Sequence, residues 1–96
     1  MAATAPLDIR HEPAAHRFVA RTAGVEAVLE YATIDAKTLD YHHTFVPHAL
    51  RGGGIASQLT EYALRYAHEN GLKVRPTCPF VARYIQRHPE FQSVVR

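Results

Sequence analysis

Three consecutive glycines, Gly52, Gly53 and Gly54, stand between a segment that alternates like a strand (residues 38–46) and the longest helical pattern in the chain (residues 54–70). That junction constrains the fold more than any other feature. A short strand (residues 72–75) follows the helix directly. Strand, crossover helix and returning strand make a right-handed unit whose two strands run parallel. The junction is also an anion site in outline. Glycine lets the backbone approach a ligand and reach positive φ. The first turn of a helix offers unpaired N–H groups and the positive end of its dipole, and Arg51 adds a permanent cation. The residues describe a phosphate or pyrophosphate cradle, with a glycine-rich turn that merely caps a helix as the simpler alternative.

The cradle does not match the commoner phosphate loops. A P-loop requires Gly-Lys-Ser/Thr after its glycines, and here Ile55-Ala56-Ser57 follows. A dinucleotide fingerprint requires G-x-G-x-x-G near the start of a βαβ unit, whereas Gly52-x-Gly54-x-x-Ser57 lies in mid-chain.

Upstream, residues 7–12 suit a short edge strand closed by Pro13. Residues 16–21 and 25–34 form a hairpin around Thr22-Ala23-Gly24. Residues 1–6 read as a loose terminus. In residues 38–46, period-two alternation puts Leu39, Tyr41, His43 and Phe45 on one face and Asp40, His42, Thr44 and Val46 on the other. Pro47 then ends or bulges the strand. The main helix carries an apolar stripe of Ile55, Leu59, Tyr62, Ala63, Tyr66 and Ala67, and Asn70-Gly71 stops it. After Pro76-Thr77-Cys78-Pro79, a second helix over residues 79–88 turns Val81, Tyr84, Ile85 and His88 to one side, and Pro89 ends it. The element order is therefore β-β-β-β-α-β-α, an α/β (α+β) chain.

Ninety-six residues make a single domain, residues 1–96, with a small core. The net charge of +2 is spread along the chain and basic residues never interleave with aromatics in a run, so no nucleic-acid partner is expected. No apolar run reaches the ~20 residues of a membrane span, and no secretory signal precedes residue 8. One cysteine excludes an intramolecular disulfide. The expected location is the cytoplasm. Seven histidines and that cysteine show no C-x-x-C or H-x₃-H spacing, so no metal is expected.

Arg51-x-x-Gly54-x-Ala56 resembles the coenzyme A pyrophosphate loop of the GNAT superfamily of N-acetyltransferases, [Q/R]-x-x-G-x-[G/A]. The likeness extends to His43-Thr44-Phe45-Val46-Pro47, Gly71-Leu72-Lys73-Val74 and Pro76-x-Cys78-Pro79-Phe80-Val81-x-x-Tyr84-Ile85-x-x-His88-Pro89-Glu90-Phe91. Together these runs resemble the small single-domain GNAT proteins of YjdJ-like or NATD type. The resemblance implies a minimal GNAT fold, a mixed and mostly antiparallel sheet of about five strands with two helices. It implies acetyl-CoA as cofactor and transfer of an acetyl group to an amine. The N-terminal helices of larger GNAT enzymes, which build much of the acceptor pocket, have no counterpart here.

On this resemblance, Val46 offers backbone groups to the pantetheine arm. Arg51, Gly52, Gly53, Gly54, Ile55 and Ala56 hold the pyrophosphate, with Ser57 as a further donor. His43 lies where relatives place a base or bind water, and histidine titrates near neutrality; a half-buried histidine bonded to its neighbours is the plainer alternative. Many relatives carry Glu at the position of Phe45. Tyr84 occupies the helix where larger enzymes keep a tyrosine that protonates the leaving thiolate, although its face also suits packing.

Cys78 is the N-cap if Pro79 opens the second helix, and a thiol at a helix N-terminus gains reactivity. It is expected near the thioester end, as an acyl relay, a site of mixed disulfide with coenzyme A, or a buried cap without chemistry. Two functions follow: an N-acetyltransferase, or a non-catalytic acyl-CoA-binding module with a reactive Cys78. The expected partner is a small or exposed amine, and the chain is a monomer or a homodimer, an open edge near the first strand being available for pairing.

Overall fold

A computed structural model describes residues 7–96; the expectation for residues 1–6 lies outside the described residues. Five strands form one sheet in the order β1-β2-β3-β4-β5: β1 (Asp8–Glu12), β2 (Arg17–Thr22), β3 (Val25–Asp35), β4 (Thr38–Phe45) and β5 (Lys73–Arg75). The first four pair antiparallel, and β5 joins β4 in parallel. Two helices, α1 (Ile55–Glu69) and α2 (Pro79–Arg87), complete the expected order. Three 3₁₀ turns, at Pro13–Ala15, His48–Leu50 and Pro89–Val94, were not foreseen.

The β2–β3 hairpin turns on Ala23 and Gly24, both at positive φ (51° and 75°). That pair of conformations matches the right-handed twist of the flanking strands. The sheet's core face carries Phe18, Ala20, Ala27, Leu29, Tyr31, Leu39 and Tyr41, and α1 packs against it. Val81, Tyr84 and Ile85 of α2 and Phe91 and Val94 of the last turn join the same core. The buried side of α1 is Leu59, Thr60, Ala63, Leu64 and Ala67. Tyr62, expected in the stripe, is 39% exposed. The helix meets α2 and the Pro89–Val94 turn as well as the sheet, so its apolar face widens toward Leu64 and leaves Tyr62 at the edge.

One departure from simple alternation shapes the site. Glu30 pairs with His43 but Tyr31 pairs with Tyr41, so His42 is an extra residue in β4. Such a bulge moves every residue beyond it to the opposite face. The set Leu39, Tyr41, His43 and Phe45 is therefore split. Thr44 pairs with Leu29 and shares the core face with Tyr41. His43 lies across from Glu30, and Phe45 across from Val28, on the other face. Pro47 ends the strand rather than bulging it.

Near β1, His11 stacks on Phe18 with ring centroids 4.5 Å apart and shares a 2.6 Å hydrogen bond with the Tyr31 hydroxyl. Tyr66 of α1 closes over the same ring at 4.4 Å. Burial lowers the His11 pKa below its usual 6.5. The unfolded chain then binds the proton more readily than the folded one, so this part of the stability is present above about pH 6.5 and is lost as pH falls through the folded value. Denaturant melts from pH 7.5 to 5 are expected to show a stability loss that is smaller in His11→Phe. Parallel pH profiles for the two proteins would refute it.

Candidate active site

β4 outruns its parallel neighbour. β5 pairs with Thr38, Leu39 and Asp40 only, and Pro76 follows. The Cys78 amide then donates to the Tyr41 carbonyl at 2.9 Å. Beyond that bond, residues 42–45 of β4 have no strand on this side among the described residues. Strand edges that diverge in this way leave backbone donors and acceptors open to an extended ligand.

At the end of this open edge is the glycine loop. Gly54 caps α1 at φ 77°, and Gly52 lies at φ 85°. Both are left-handed conformations that a side chain would strain. The first helical bond runs from the Gln58 amide to the Gly54 carbonyl, so the amides of Ile55, Ala56 and Ser57 have no intrahelical acceptor. They point out of the positive end of a 15-residue helix.

A groove of about 230 Å³ lies against the loop, lined by Val46, Leu50, Arg51, Gly52, Gly54, Ile55, Ala56, Ser57 and Phe80. Every residue expected to hold the cofactor is there except Gly53, which lies between two that are. Phe80 was missed. It falls outside the stripe of α2 and is 38% exposed, which is the signal that marks it for another role.

Arg51 is arranged differently from the expectation. Its Nε donates to the Val46 carbonyl at 2.9 Å, so that carbonyl is already engaged from within. The bond steadies the guanidinium and leaves its terminal nitrogens for a second partner. Planar Arg donors suit phosphate oxygens.

The three candidates for chemistry separate. Cys78 is the N-cap of α2, with Pro79 at the first helical position. It is 6% exposed, and its thiol donates to Thr44 Oγ1 at 3.5 Å. The bulge makes that contact possible by turning Thr44 inward. His43 is exposed on the opposite face, where its cross-strand neighbour is Glu30. Tyr84 is buried beside His88, with ring centroids 3.9 Å apart. Burial first, then Glu61 and Glu90, raises its pKa above 10, while Arg65 acts the other way. The hydroxyl therefore stays protonated at neutral pH.

Glu30 was not foreseen. It is the acidic residue directly across the strand pair from His43, where Cβ atoms stand about 5 Å apart, and the two side chains make no hydrogen bond or ion pair. Only the register reveals it. Among the described residues, no group of three or more His, Cys, Asp or Glu is placed to hold a metal ion. No helix in that range is long and apolar enough to cross a membrane.

The family model for GCN5-related N-acetyl-transferases matches residues 17–94, which span β2 through the last turn. The chain belongs to the GCN5-related N-acetyltransferase family. Among curated proteins it is similar to Protein NATD1 of Homo sapiens, 35% identical over 93 residues, covering 95% of this chain and 82% of that protein. It is likewise similar to Protein NATD1 of Xenopus tropicalis, 36% identical over 90 residues and covering 92% and 83% of the two chains. The solution structure of a GCN5-like protein from Staphylococcus aureus shares the fold, with a TM-score of 0.73, 24% identity and coverage of 94% and 88%. The minimal GNAT architecture is therefore the fold of this chain.

Proposed function

We propose that the chain is an N-acetyltransferase that takes its acetyl group from acetyl-CoA and passes it to a small or exposed amine. The observation that carries this reading is the junction of the open β4 edge with the Gly52–Gly54 loop at the start of α1. The donor set suits the cofactor: free helix amides and an oriented Arg51 for a pyrophosphate, and an unpaired strand edge for an extended amide-bearing arm. Bound acetyl-CoA would supply the thioester carbonyl that the amine attacks.

The remaining tasks belong to side chains. Holding two reactants in attack geometry contributes effective molarities of order ~10⁵ M or more, a task for the open edge and the loop. His43 is the candidate to accept the amine proton. Cys78 closes the point where β4 and β5 part. His43→Ala is expected to slow release of free coenzyme A thiol across an amine panel by about 10²-fold or more, with the heat of acetyl-CoA binding unchanged. Unaltered turnover would remove His43 from the chemistry.

The second reading, an acyl-CoA-binding module with a reactive Cys78, draws support from Phe45. It is 48% exposed on the face that carries His43, where a carboxylate would be of more use to catalysis. Acetyl-CoA binding without thiol release for any amine would favour that reading over the first.

A further inference from the structure

The sheet has two outer edges, and one of them is covered. Val95 bridges Val74 in parallel and the Arg96 amide donates to the Val74 carbonyl at 3.0 Å, so the last residues lie along the outer side of β5. At the other end, β1 has no neighbour on its outer side among the described residues. Its five residues pair with β2 in an unbroken register. It holds no proline, lysine or bulge of the kind that blunts an exposed edge. Asp8, Arg10 and Glu12 point to one face of the sheet, and Ile9 and His11 to the other, where Ile9 packs against the core and His11 stacks on Phe18. Asp8 and Arg10 are exposed and paired to each other at 2.9 Å. Tyr62 of α1 is 39% exposed. With Ile9, Gln58, Glu61 and Arg65 it lines a groove of about 220 Å³ beside β1.

We propose that β1 is an interface with a second copy of this chain, the two β1 strands pairing antiparallel about Ile9 to make one continuous sheet. The charge order of the strand is complementary to itself in that register. Asp8 stands opposite the partner's Arg10, Arg10 opposite the partner's Asp8, Ile9 opposite the partner's Ile9 and Leu7 opposite the partner's His11. The four charges then alternate in sign around the two-fold axis, and each carboxylate lies between two guanidinium groups. Shifting the register by two residues sets Arg10 against the partner's Arg10 or Asp8 against the partner's Asp8, and like charges directly opposed are destabilising. A shift of one residue puts Ile9 beside a charged side chain. On the other face, the paired Ile9 side chains and the adjoining Tyr62 grooves give the joint its apolar part. β2 and β3 separate β1 from β4, so the open edge and the glycine loop stay accessible in the dimer.

The test is sedimentation equilibrium of the full chain, of Asp8→Arg, of Arg10→Asp and of an equimolar mixture of the two variants. Both positions are on the surface, and circular dichroism checks that each variant is folded. Wild type is expected to pass from monomer to dimer between about 1 and 500 µM, as suits an interface at the small end of the size range. Each variant alone sets like charges against each other twice, once on each side of the two-fold axis, and its dissociation constant is expected to rise by about 10-fold or more. The mixture is expected to dimerise again, because the arginines at positions 8 and 10 of one chain then face the aspartates at positions 10 and 8 of the other. Restored association of two chains that fail separately cannot come from a merely local change in either. A wild-type chain that stays monomeric throughout, variants that associate like wild type, or a mixture that stays monomeric would each overturn the proposal.

Discussion

Arg51→Glu is expected to weaken acetyl-CoA binding by about 100-fold or more while leaving the melting temperature nearly unchanged. The side chain is exposed and holds only the Val46 carbonyl, so little folding energy depends on it. Its value lies in charge at the mouth of α1. Losing a charge-assisted bond costs about 1.5–3 kcal/mol, and a carboxylate facing a pyrophosphate adds repulsion. At 1.4 kcal/mol per tenfold, the sum reaches two decades. Calorimetry with acetyl-CoA, and with free coenzyme A as comparison, measures it directly. A variant that binds both ligands like wild type would place the anion elsewhere and undo the loop assignment.

The largest stability effect is expected at Tyr41, which joins the elements that frame the site. Its ring is fully buried against Phe18 and Tyr31. Its hydroxyl donates to the Ala63 carbonyl of α1 at 2.6 Å, and its own carbonyl accepts from the Cys78 amide that opens α2. Burial drives the phenol pKa far above its usual value, so the hydroxyl is a permanent donor. Tyr41→Ala is expected to cost about 3–5 kcal/mol, as large-to-small core changes do. A domain of this size has roughly 5–15 kcal/mol in total, so the fall in melting temperature should exceed ~12 °C. Tyr41→Phe removes one hydrogen bond and should cost about 1 kcal/mol. Equal losses in the two variants would show that the hydroxyl, rather than the ring, holds α1 to the sheet.

A larger consequence follows from where Tyr41 sits. It lies between Asp40, the last residue paired with β5, and the bulge at His42, so it receives the start of α2 and the open edge begins after it.

Much of this molecule follows from local chemistry. α1 lies between Gly54 and Asn70 because a left-handed glycine opens it and Asn70-Gly71 cannot continue it. α2 begins at Pro79 because proline's fixed φ and absent N–H suit the first helical position, which leaves Cys78 as the cap. The parallel β4–β5 pair follows from a short crossover helix. The helix boundaries are near-neighbour effects, decided within a few residues of chain.

Tertiary pairing decided the rest. Whether His43 or Thr44 faces the core depends on which residue of β3 stands opposite, and the one extra residue at His42 reverses the answer. The pairing of His43 across from Glu30, the contact of Cys78 with Thr44 and the place of Phe80 beside the loop all join residues far apart in sequence. The burial of Leu64 in place of Tyr62 depends on α2 and the last turn, which lie against one flank of α1. Periodicity along a strand or helix specifies a face. What that face meets is set by packing, and here packing determined which residues surround the site.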